Sequence, residues 1–247
     1  MKNILSKLCA AIFACLVHHA VLADSPQPSG VDRVLDLIQS LAGPTEVRQL
    51  TDAITASELL QREINDQVAS KRLHGILVGP RAGLESLRNP KIDLFGGFIH
   101  ESSVVLTKEY LKELRNTRIY DVEYPDDILP NNTVFVLAHL LFHTGNPLDP
   151  SQYSTPWAYS DAAMKTEAGA FIYAWNTMMQ VAVRTNGNKL LSPQQFGQLL
   201  MNTRYRFALI GGAGKELFLP SGYIEMNEKS VQTVVATLKG ARHADLE

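Results

Sequence analysis

Cysteine is nearly absent: the 247-residue chain has two, Cys9 and Cys15, both close to its start. The rest of the chain has no disulfide framework to draw on, so its fold must rest on an apolar core, alone or with a metal. Charge of one sign is lacking too. The 23 Lys+Arg nearly cancel the 25 Asp+Glu, and no basic run is dense enough to neutralise a row of phosphates, which argues against nucleic-acid binding. No apolar run reaches the roughly 20 residues that a membrane-spanning helix needs. Gly and Pro recur without a period, excluding collagen-like and low-complexity classes. What remains, 45% hydrophobic and 19% charged residues, is the composition of a chain that folds around a core, and a single domain over 31–247 is expected.

Residues 1–23 (MKNILSKLCAAIFACLVHHAVLA) place Lys2 and Lys7 before an apolar run from Leu8 to Val17, then the small residues Val21 and Ala23 before Asp24. This is the pattern of a secretory signal peptide, and it predicts export to a periplasm or the medium, the short lysine-led form having a bacterial look. Ile12-Phe13-Ala14-Cys15 loosely suggests a lipoprotein cleavage site, but Phe13 fits it poorly. Cleavage after Ala23 removes both cysteines. Residues 24–30 (DSPQPSG) are expected to form a loose leader.

Hydrophobic period then predicts a mostly helical α+β chain. Helices are expected over 31–41, ended by Gly43-Pro44, and over about 51–70, followed by a short buried strand at Gly75–Gly79. Two β-rich runs, Phe95–Ile99 and Ser103–Thr107, read as a hairpin or a pair of edge strands joined through His100-Glu101-Ser102. A helix is predicted over about 133–143, capped by Asn131 or Asn132 and stopped by Gly145 and Pro147. A long helix follows from a Ser160 or Asp161 cap to about Arg184. Ser192-Pro193-Gln194-Gln195 is a capping-box start for another, and Ser230–Leu238 closes the chain after a Gly-broken, strand-like stretch at 208–224.

Chemistry concentrates on three residues. His139 and His143 are four apart on a predicted helix, so both imidazoles leave one face about a turn apart, the spacing with which two ring nitrogens reach one tetrahedral zinc. Core histidines bonded to backbone are the plain alternative. Glu167 lies in the stripe Met164, Ala168, Phe171, Trp175, Met178, Met179 and Ala182, otherwise the apolar face of the long helix. A carboxylate there needs a partner: a metal held by the preceding helix, or an arginine such as Arg184 or Arg204.

Taken together, a strand pair ending in Phe98-Ile99-His100 and Ser103-Val104-Val105-Leu106, a helix bearing His-x-x-x-His, and a glutamate on the next helix, 24 residues after His143, resemble the zincin metallopeptidases in their gluzincin arrangement. The resemblance covers about residues 92–185. It implies a zincin-like core in which His139, His143 and Glu167 hold zinc and the Val104–Thr107 segment is the edge strand that aligns extended substrate. The family motif is His-Glu-x-x-His, whose glutamate is the general base, and this chain has Leu140 in its place. Leucine accepts no proton, and losing a positioned base costs about 100- to 10,000-fold. Glu101 or Asp161 would have to enter from a loop to replace it.

Other motifs are weaker. Tyr153, Trp157 and Tyr159 either anchor a loop or wall a cleft. Gly211–Lys215 lacks the spacing of a phosphate loop, Asn131-Asn132-Thr133 is a formal glycosylation sequon, and no Gly-x-Ser-x-Gly elbow is present. His100, on the hairpin, is within reach of the metal helix if the strands pack there. Two expectations result. One is an exported zincin-like protein with a zinc site but no usual base, a pseudopeptidase or atypical metallohydrolase; the other is a metal-free protein binding a peptide or protein partner on the same scaffold, for example by β-augmentation.

Overall fold

The computed structural model describes residues 43–79, 97–107, 129–201 and 216–244, together with Asp32, Leu35, Asp36 and Ile38. The proposed signal peptide and leader, Arg204 and the 211–215 glycine stretch lie outside the described residues.

The architecture is α+β and mostly helical. Helix α1 spans Pro44–Ala56 and α2 spans Glu58–Ala69, where one helix over about 51–70 was expected. Gly43-Pro44 therefore begins a helix instead of only ending one: Gly43 is an extended N-cap, and the fixed φ of Pro44 suits the first helical position. The break at Ser57 has a local cause. Its backbone is extended while its side chain accepts from the Leu60 N–H at 3.2 Å, restarting the helix, and its hydroxyl donates to Gln180 Oε1 at 2.7 Å.

Among the described residues three strands form one sheet, β1 (Gly75–Gly79), β2 (Gly97–His100) and β3 (Ser103–Thr107), in the order β1-β3-β2. β3 runs antiparallel to β2, with Phe98 opposite Val105, and parallel to β1, with Ile76 opposite Val104. The hairpin expected from sequence is present, but its turn uses two residues, Glu101 and Ser102, at φ 45° and 64°. Such a turn needs left-handed backbone at both positions, which costs non-glycine residues roughly 1 kcal/mol each. The His74 N–H donates to Ser102 O at 2.8 Å and holds it. The topology corrects one expectation: Val104–Thr107 belongs to the central strand, with both edges paired, so it cannot align a substrate. Among the described residues β2 pairs with β3 alone.

Helix α3 (Leu129–Gly145) starts four residues before the expected boundary. Every residue from Val134 to Leu141 is buried, because α3 packs on β2 and β3, on α1 and α2, and on the next long helix. That helix, α4, spans Pro156–Thr185 and is capped by Thr155, whose side chain accepts from the Ala158 N–H at 3.1 Å. The expected caps, Ser160 and Asp161, lie inside it because Thr155-Pro156 supplies both a capping oxygen and an N1 proline. Helix α5 (Pro193–Met201) starts with the expected reciprocal box: Gln195 N donates to Ser192 Oγ, and Ser192 N donates to Gln195 Oε1.

The strand-like reading of 208–224 survives, among the described residues, only as a bridge between Phe218 and Ile224. Two residues of α4 hold this turn. Trp175 Nε1 donates to Gly222 O at 2.8 Å, and the Asn176 amide both donates to Ile224 O and accepts from Ile224 N. Helix α6 (Glu228–Ala244) then packs along α4.

Candidate metal centre

Helix α3 lies between the sheet and α4, and the α3–α4 contact brings the three candidate ligands together. His139 and His143 leave one face of α3 with their Nε2 atoms 3.2 Å apart, and Glu167 reaches them from α4. One carboxylate oxygen is 3.2 Å from His139 Nε2 and the other is 3.0 Å from His143 Nε2. A tetrahedral ion with bonds of about 2.0–2.1 Å spaces its donors about 3.3 Å apart. Each distance is within a few tenths of an ångström of that value, but the two contacts to Glu167 use different oxygens. With one ligand atom per residue the three lie within 4.8 Å of one another, so this His/His/Glu group can hold a metal ion once the carboxylate turns one oxygen toward both histidines.

A cation is compatible with the proton count: if both Nε2–H groups donate to Glu167, two donors face each other at 3.2 Å, a conflict relieved either by a cation or by the other tautomer of one imidazole. Burial pushes the Glu167 carboxyl up, but the hydrogen bonds from both histidines, and then their charge, outweigh it and hold the group well below the usual carboxylate range. It is a carboxylate ready to ligate. His139 is nearly buried, whereas the His143 and Glu167 side chains are 25% and 28% exposed, leaving the cluster open to solvent on one side. Phe135 stacks on the His139 ring and meets Phe171 edge-on, forming an apolar wall.

Two glycines set this geometry, and sequence reasoning passed over both. A Cβ on Gly169, two residues after Glu167, would lie 2.8 Å from Phe142 Cζ, so glycine there lets α4 approach α3. A Cβ on Gly97 would lie 2.6 Å from Val105 O and 2.7 Å from Leu140 Cδ1, so β2 leaves a notch that Leu140 fills. A glycine inside a helical pattern, and one inside a strand, were the available signals. Leu140, where the family pattern has its base, is 6% exposed and belongs to the core.

The other candidates do not join the cluster. His100 Nε2 lies 3.8 Å from Glu101 on the exposed hairpin, and Asp161 pairs with Lys165 one turn along α4. Arg184 is exposed in the last turn of α4 and does not pair with Glu167, whose partners are the two histidines. Tyr153 and Tyr159 pack against each other, but Trp157 is 85% exposed on the first turn of α4 and anchors nothing. No helix among the described residues is long and apolar enough to cross a membrane. No known protein family, curated protein or solved structure matches the chain.

Proposed function

We propose that the chain is an exported zincin-like protein with a His139/His143/Glu167 zinc centre and without the usual general base, a pseudopeptidase or an atypical, weak metallohydrolase. The observation that carries this reading is the contact of one carboxylate with both histidines at donor spacings suited to a tetrahedral ion. Zinc bound there would act as a Lewis acid toward a carbonyl or phosphoryl oxygen. The chain's own residues supply three ligands, an apolar wall at Phe135, and at Leu140 a side chain that takes no proton. The zincin assignment draws further support from the strand order, in which β2, antiparallel to its neighbour, lies against the ligand helix. An extended peptide added along the outer edge of β2 is the partner this arrangement suits.

Metal content of the purified protein, dialysed without chelator, tests the centre alongside His139→Ala. One zinc per chain, lost in the variant, is expected. Absence of metal from both proteins would refute the centre and favour a metal-free binding protein whose histidines and glutamate only tie α3 to α4.

A further inference from the structure

The C-terminal turn of α3, which carries His143, is gripped from α2. Gln67 is fully buried, and its Nε2 donates to Leu141 O at 2.7 Å across 74 residues of sequence. The same nitrogen donates to Glu63 Oε1, one turn back on α2, so both amide protons are committed. Beside them, Arg72 Nη1 donates to Gly145 O at 2.6 Å, capping the helix end with a positive charge that its dipole favours. The fit is close: a Cβ on Gly145 would lie 2.8 Å from Glu63 Oε1 and 3.0 Å from Gln67 Nε2.

Stability alone does not account for this glutamine. Its Oε1 is buried without a hydrogen-bond partner among the described residues. An acceptor buried without a donor offsets much of what the two donated bonds contribute to stability. The amide faces as it does because Glu63 claims one proton and aims the other at Leu141 O. That carbonyl lies two residues before His143, in the segment whose placement decides whether the second imidazole meets Glu167.

We propose that Gln67, oriented by Glu63, is a positioning residue for the metal centre, holding the last turn of α3 so that His143 reaches the shared ion without rearrangement. This rests on the zinc reading above. Glu63 and Gln67 do not touch the ion; they act through the backbone of the ligand helix.

Zinc affinity by competition with a chromophoric chelator, the visible spectrum of the cobalt-substituted protein, and urea denaturation of the metal-free protein test this on Gln67→Met, Glu63→Ala and Glu63→Gln. Loss of a partner that orients a ligand typically lowers metal affinity 10- to 100-fold; because this contact acts through backbone, about tenfold weakening and an altered cobalt band are expected for Gln67→Met and Glu63→Ala. Glu63→Gln keeps an acceptor oxygen facing Gln67 and should stay within about twofold of wild type on the same scale. The metal-free urea midpoint of Gln67→Met should change little, since removal of the orphan acceptor offsets the loss of the two donated bonds. Wild-type affinity in Gln67→Met, or an affinity loss matched by an equal loss of metal-free stability, would overturn the proposal. A wild type that binds no zinc would overturn the metal centre itself, so the two failures are distinguishable.

Discussion

Replacing Leu140 with glutamate would write His-Glu-x-x-His, the motif of the proposed zincin reading, into α3, and the packing around Leu140 decides what that does to the fold. Leu140 is 6% exposed and fills the notch at Gly97, where an added Cβ would also meet Val105 O and Leu106 Cδ2. Removing a buried leucine side chain costs about 2–5 kcal/mol. The incoming carboxyl finds in that notch a carbonyl oxygen, which cannot donate to it, and an apolar methyl group, so it must take up a proton or turn out of the seat. A net loss of about 3 kcal/mol is expected for metal-free Leu140→Glu, or roughly 6–12 °C in melting temperature for a chain of this size. Leu140→Met, of similar volume, should lose less than about 1.5 kcal/mol. Urea denaturation of the three proteins in chelator measures this directly. A Leu140→Glu protein within about 1 kcal/mol of wild type would show that Leu140 is not held in an apolar seat. In that case core packing would not be what keeps a carboxylate out of this position.

Gly169→Ala should weaken zinc binding, because the new methyl meets the Phe142 ring at 2.8 Å and spreads α3 from α4; unchanged affinity would mean the ring yields freely. Its stability should fall by no more than about 2 kcal/mol, since overpacking of about 1–3 kcal/mol is opposed by a helix-propensity gain of about 1. The Glu167 carboxyl is held below its ordinary value of 4.5 in the folded protein, so the unfolded chain takes up the proton first as pH falls. Its stabilising contribution is therefore full above about pH 5 and lost as pH drops through 4.5 and below, and Glu167→Gln should flatten that part of a metal-free stability profile; an unchanged acid limb would refute the pairing with the histidines. Ser57→Ala removes the α2 cap and the bond to Gln180, and should lower the urea-derived stability by about 1–2 kcal/mol.

Local patterns in the sequence determined most of the elements. The apolar period marked α3 and α4, the β-branched runs marked the hairpin, and Ser192 with Gln195 marked the start of α5, because each signal is complete within one or two turns of chain. The candidate cluster was also legible: a four-residue spacing puts two imidazoles on one helical face, and a carboxylate in an apolar stripe demands a partner. Boundaries were less so, since Gly43-Pro44 and Thr155-Pro156 compete with neighbouring caps that look equally good in isolation.

Tertiary structure alone decided which partner Glu167 has, because Arg184 and the histidines were equivalent on paper and differ only in where α4 crosses α3. It also decided that β3 is central, with β1 and β2 on either side of it among the described residues, a matter of pairing between segments far apart in the chain. The same holds for Gly97, Gly169 and Gln67. Each answers to an atom brought near by folding, and nothing in its own neighbourhood of sequence names that atom.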